Sequence, residues 1–90
     1  METIIMKIEA PEGLHARPAH LFCSLVQKYK SEIKVRNVTN QSKFVNAKSI
    51  LFVLTLGVEH GHEVEITLAG DDEVEAAKAL RELIANNFPA

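Results

Sequence analysis

Glu63-Val64-Glu65-Ile66-Thr67-Leu68-Ala69 is the stretch on which the fold turns. Val64, Ile66 and Leu68 fall on one side and Glu63, Glu65 and Thr67 on the other, the period-two pattern of a strand with one buried face. Gly70-Asp71-Asp72 closes it and opens a helix. Asp72 with Glu75 forms a capping-box pattern, and the acidic first turn complements the helix dipole. Ala76, Ala77, Leu80, Leu83, Ile84 and Phe88 then make a buried stripe at helical spacing.

Working outward toward the N-terminus, Ser49 to Leu56 is too apolar for an exposed loop. Ser49 is a natural N-cap for a short helix and Gly57 a natural stop. At about 100° per residue, Ile50, Val53 and Leu56 form the expected core set, Leu51 and Phe52 point away, and Leu54 lies at the border. Glu32 to Arg36 alternates with Ile33 and Val35 inward, Thr39-Asn40-Gln41-Ser42 turns the chain, and Lys43 to Ala47 pairs back as a hairpin. From Ala16 to Tyr29, the residues Leu21, Phe22, Leu25, Val26 and Tyr29 recur at helical spacing, with Pro18 in the first turn where its missing N–H costs nothing. Thr3 to Glu9 is a strand with Ile4, Met6 and Ile8 on one side and Ile5 the exception. The order is β-α-β-β-α-β-α. Strands with one apolar face each predict an α+β fold, an antiparallel sheet with its helices on one face.

Ninety residues suit one domain, expected to span 1–90. A net charge of −2 argues against nucleic acid, which demands a basic footprint. No apolar span of membrane length is present, and the charged, alternating first residues do not read as a secretory leader, so neither membrane insertion nor export is expected. Cys23 is the only cysteine, which excludes an internal disulfide and a cysteine-cluster metal site and fits a reducing cytosol. It lies among Phe22 and Leu25 and reads as a packing residue. His60 and His62 flank Gly61 as a polar turn, with no third metal ligand suggested nearby.

The segment that carries chemistry is Gly13-Leu14-His15-Ala16-Arg17-Pro18-Ala19. It sets a histidine immediately before a helix, where free backbone N–H groups and the positive dipole end form an anion site. Arg17 adds a fork of donors for phosphoryl oxygens, and Gly13 lets the chain bend. A neutral imidazole nitrogen is a good nucleophile near neutral pH, and phosphoryl transfer asks mainly for alignment and charge stabilisation. A small ligand-binding α+β regulator shares the element pattern but has no need of His-Ala-Arg-Pro at a helix start. A soft-metal chaperone typically needs a cysteine pair, and Cys23 stands alone.

Gly13 to Ala19 resembles the active-site signature of HPr, the histidine-containing phosphocarrier family of the sugar phosphotransferase system. Lys48-Ser49-Ile50-Leu51-Phe52-Val53-Leu54-Thr55-Leu56-Gly57 resembles the family's regulatory-serine motif, and the similarity runs over essentially the whole chain. The resemblance implies an open-faced sandwich of four antiparallel strands and three helices. It implies His15 as the residue phosphorylated on Nδ1, Arg17 as its phosphoryl-stabilising partner, and Ser49 as the site of a dedicated serine kinase/phosphorylase. Enzyme I, charged by phosphoenolpyruvate, would be the donor and enzyme IIA proteins the acceptors. The docking surface would be Leu51, Phe52 and Leu54 on the short helix together with the neighbourhood of the histidine, including His20. The chain would be a cytoplasmic monomer without cofactor or metal, a phosphoryl-transfer intermediate rather than a free-standing enzyme. Glu12, His20, Phe52 and a hairpin about three residues longer than usual depart from the family's pattern; such a loop extension costs little. These departures leave room for a specialised paralogue, for instance one that binds a transcription factor, although relatives of that kind lack the histidine.

Overall fold

The computed structural model describes residues 1–89. Along the chain run β1 (Glu2–Lys7), α1 (Ala16–Val26), β2 (Glu32–Asn37), β3 (Val45–Asn46), α2 (Ile50–Thr55), β4 (Glu63–Ala69) and α3 (Glu73–Ala85). The strands form one sheet in the order β1-β4-β2-β3, every pairing antiparallel. β4 holds the expected boundaries and lies inside the sheet, with Ile66 opposite Ile4 on one side and opposite Val35 on the other. Val64, Ile66 and Leu68 are fully buried and share their core with Ile4, Ile8, Ile33 and Val35 of the sheet side and Phe22, Val26, Ala76, Ala77, Leu80 and Ile84 of the helices. Each large aliphatic side chain so removed from water contributes about 1.5–3 kcal/mol. The opposite face stays wet: Arg36 Nε donates to Glu65 Oε1 at 2.8 Å, and its guanidinium lies 5.4 Å above the Phe44 ring. This is the α+β open-faced sandwich read from the sequence.

Four local expectations need correction. α1 stops at Val26 rather than Tyr29, because the chain tightens into turns in which Lys28 N–H meets the Leu25 carbonyl and Tyr29 N–H the Val26 carbonyl; Tyr29 still packs on the core. β3 is two residues long rather than running from Lys43 to Ala47. Near the tip of the hairpin the Ser42 hydroxyl takes the Asn37 N–H at 2.8 Å, and the Asn37 carbonyl takes the Ser42 N–H at 3.0 Å, so a local turn replaces the ladder. Asp72 does not cap α3 with its side chain. Its carboxylate instead accepts the Lys30 and Ser31 N–H groups at 2.8 and 2.9 Å and the Ser31 hydroxyl, while Glu73 takes the Gly70 N–H at 3.1 Å. Finally, Ile50 is not core: it is 37% exposed, whereas Val53 and Leu56 are buried. Helical side chains lean back toward the N-terminus, and Ile50, the first residue of α2, has no preceding turn to lie on.

The two faces of α2 are therefore separable by melting. Val53→Ala is expected to lower stability by about 2 kcal/mol, whereas Ile50→Ala stays within about 1 kcal/mol; equal losses in thermal or urea unfolding would contradict this assignment. The Asp72 clamp is separable by pH. Hydrogen bonds from the Ser31 hydroxyl and the Lys30 N–H hold the Asp72 carboxyl below its ordinary range. A depressed value stabilises the fold above the unfolded carboxyl's titration, and that stabilisation fades as pH falls through the folded value. The stability gap between the parent and Asp72→Asn should thus be flat above about pH 5 and shrink below about pH 4. A gap unchanged on acidification would show that the carboxylate's charge plays no part.

Candidate functional site

The site is assembled by a close backbone crossing. Gly13 sits at φ +73°, and a Cβ there would lie 2.3 Å from the Val58 carbonyl oxygen and 2.8 Å from Glu59 Cα, so only glycine fits. Leu14 donates its N–H to the same Val58 carbonyl at 2.9 Å and buries its side chain completely. The chain then runs extended through His15, at φ −132° and ψ 171°, which stands at the N-cap of α1 without capping it through its side chain. Ala16 follows at φ 50°, a left-handed conformation that costs a non-glycine residue about 1–2 kcal/mol and that the clamped loop must offset.

His15 is 31% exposed at its side chain, and its Nε2 lies 3.1 Å from Glu59 Oε2. Ala16 and Arg17 carry the first N–H groups of α1, Pro18 has none, and Ala19 N–H reaches the His15 carbonyl at 3.3 Å. The free donors of this helix end thus belong to the two residues directly after His15, where an anion is favoured. Arg17 is exposed and donates from one guanidinium nitrogen to the Phe88 carbonyl at 3.3 Å. Among the described residues it makes no ion pair with Glu12.

His20 is exposed on α1 and, among the described residues, shares no hydrogen bond with His15. Ser49 caps α2, its hydroxyl accepting the Phe52 N–H at 3.4 Å. Beside it Leu51, Phe52 and Leu54 are exposed by 74, 54 and 38%, and Ile50 joins them to make a continuous apolar patch. Cys23 is buried, and burial pushes its thiol up, which keeps it protonated and unreactive.

Two residues beside the site, Glu59 and Asn37, escaped the sequence reading, and His62 was read there only as part of a polar turn. His62 Nδ1 accepts the Glu59 N–H at 3.1 Å and lies 3.1 Å from the Asn37 amide nitrogen, which also donates to the Leu56 carbonyl at 3.1 Å. The period-two register of β2 marks Asn37, since it follows Ile33 and Val35 on the buried face. Nothing local marks Glu59, whose role depends on a contact 44 positions away.

Comparison with known proteins agrees with this geometry. A family model described as the PTS HPr component phosphorylation site matches residues 3–86. The phosphocarrier protein HPr of Mycoplasma genitalium is 38% identical over 80 residues, which is 89% of each chain. The multiphosphoryl transfer protein of Vibrio cholerae is 38% identical over 78 residues, 87% of this chain but only 20% of its own length, so the chain spans about a fifth of that relative. The crystal structure of HPr from Thermoanaerobacter tengcongensis matches with a TM-score of 0.92 and 44% identity, covering 98% of this chain and 96% of that one. With the fold, the histidine at the N-cap position of α1 and these matches in agreement, the chain belongs to the HPr family of phosphocarriers of the phosphotransferase system.

Proposed function

We propose that this chain accepts a phosphoryl group on Nδ1 of His15 from enzyme I, itself charged by phosphoenolpyruvate, and delivers it to enzyme IIA proteins of sugar uptake in the cytoplasm. The observation that carries this reading is His15 at the N-terminus of an eleven-residue helix whose first donors no side chain of the N-cap residue occupies. In-line transfer needs a nucleophile, an approach path and positive potential around the equatorial oxygens. The imidazole supplies the first and its partial exposure the second. The Ala16 and Arg17 N–H groups and the Arg17 guanidinium supply the third. The single 3.3 Å contact from Arg17 to Phe88 is weak enough to be exchanged for phosphoryl oxygens, to which a guanidinium binds more strongly.

In this reading the carrier works as a monomer, since one chain contains the acceptor and its donors. The apolar patch Ile50, Leu51, Phe52 and Leu54, with His20 on the neighbouring helix, is the face that meets enzyme I and enzyme IIA. Ser49 at the N-cap of α2 is the site for a serine kinase/phosphorylase, because a phosphate there is tolerated by the helix dipole while its charge alters the docking face.

Incubation with enzyme I and phosphoenolpyruvate should add one acid-labile phosphoryl group by intact mass, and His15→Ala should fold normally and gain none. Labelling of that variant would move the acceptor elsewhere, first to His20. Arg17→Ala should slow transfer roughly tenfold or more while changing stability by less than about 1 kcal/mol; parent-like transfer removes Arg17 from the mechanism. Phe52→Lys and Leu51→Ala should keep the parent's melting temperature and lose at least about 1 kcal/mol of binding to one partner. Early melting of Phe52→Lys would make that residue part of the fold instead.

A further inference from the structure

The loop that carries the carboxylate facing His15 is held in place by the fold. Glu59 lies in the loop between α2 and β4, and its Oε2 is 3.1 Å from His15 Nε2. Three contacts brace the loop. Gly13 packs against the Glu59 backbone, Leu14 N–H binds the Val58 carbonyl, and Glu59 N–H binds His62 Nδ1 at 3.1 Å. His62 is itself pinned, because its carbonyl accepts the Ile8 N–H at 2.8 Å and its Nδ1 faces the Asn37 amide. Among the described residues Glu59 is the only group within ion-pair distance of His15. Glu12 and Arg17, the charged residues nearest along the chain, make no such contact with it.

We propose that Glu59 is a positioning residue for His15: its carboxylate accepts the Nε2–H, fixes that tautomer, leaves the Nδ1 lone pair as the nucleophile, and neutralises the ring once it carries a phosphoryl group. This inference rests on the reading of His15 as the acceptor. A carboxylate only accepts, so the proton shared with it belongs to Nε2, and the other ring nitrogen is then the base. In the transfer step the Nδ1 lone pair forms the N–P bond as the bond from phosphorus to the donor's leaving atom breaks, and that electron pair departs with the donor. No proton leaves the ring. Nε2 keeps its hydrogen and the imidazole gains one positive charge, which Glu59 meets at hydrogen-bond distance.

Two variants separate the hydrogen bond from the charge. Glu59→Gln retains an acceptor oxygen without the charge, and Glu59→Ala removes both. The parent and both variants are compared by nitrogen-15 NMR of ring-labelled histidine, by melting temperature, and by single-turnover loading from phosphorylated enzyme I read as intact mass. The parent and Glu59→Gln should show the Nε2–H tautomer at His15, whereas Glu59→Ala should show a mixture. Glu59→Gln should load about threefold more slowly than the parent and Glu59→Ala about three- to tenfold more slowly. Melting temperatures should be unchanged, since the Glu59 side chain is 65% exposed. An alanine variant with the parent's tautomer ratio and loading rate overturns the proposal. So does slow loading accompanied by early melting in both variants, which would make Glu59 a fold residue. A parent that takes up no acid-labile phosphoryl group overturns the reading of His15 itself, and the tautomer measurement then decides Glu59's hold on the ring independently.

Discussion

The crossing of residues 13–14 over residues 58–59 is the contact on which the site depends. One carbonyl, that of Val58, receives the Leu14 N–H at 2.9 Å, and the absence of a Cβ at Gly13 lets the two backbones meet. This crossing joins the start of α1 to the loop before β4, two segments far apart along the chain. It places His15 over Glu59, and it holds Ala16 in a conformation that an isolated helix start would relax. Burial of Leu14 beneath it ties the loop that bears His15 to the core.

Behind the crossing lies a small polar interior. Asn37 is fully buried, yet its amide donates to the Leu56 carbonyl and faces His62 Nδ1, and its side-chain oxygen accepts the Asn40 N–H at 3.4 Å. A second amide, from Asn40, reaches the same Leu56 carbonyl at 3.1 Å. Buried polar groups destabilise when unpaired and specify geometry when paired, and these are paired. The end of β2, the end of α2 and the loop that bears Glu59 therefore meet at one set of hydrogen bonds. Polar contacts thus run from Asn40 at the hairpin tip through Asn37 and His62 to Glu59 and the histidine.

Most of the fold was legible because its elements are amphipathic. The alternation in β4 announced both its limits and its buried face, and the spacing from Ala76 to Ile84 announced α3. Ser49 and Gly57 bounded α2 correctly, since capping and left-handed stop residues act within a few positions. What misled were choices between a local and a distant partner. Asp72 has the sequence of a capping residue, yet its carboxylate serves the backbone at Lys30 and Ser31, because two N–H groups and a hydroxyl outweigh one cap. Ile50 fits the core phase of an unlimited helix, and the six-residue length of α2 defeats it. In the site, His15 and Arg17 were legible from their place before and within a helix start, and the HPr resemblance made that reading sharper. Glu59 was not, and His62 was legible only as part of a polar turn, because tertiary proximity alone brings them to the histidine.

The strand order also sets a timetable for folding. β1 and β2 are not paired to each other; each is paired to β4, with Glu2 opposite Leu68 and Glu32 opposite Ala69. Until residues 63–69 are available, β1 has no partner in the sheet, and β2 has only the two-residue β3. Pairings this distant in sequence close large loops before any contact rewards them, which slows folding relative to a helical chain of equal size. On a chain emerging from the ribosome, the edge of β1 stays unpaired until residues 63–69 arrive, and its apolar face stays open until α3 follows and packs on it. The sheet is completed when β4 arrives and joins both of its halves, and the core closes only with α3, which follows β4 and brings Ala76, Ala77, Leu80 and Ile84.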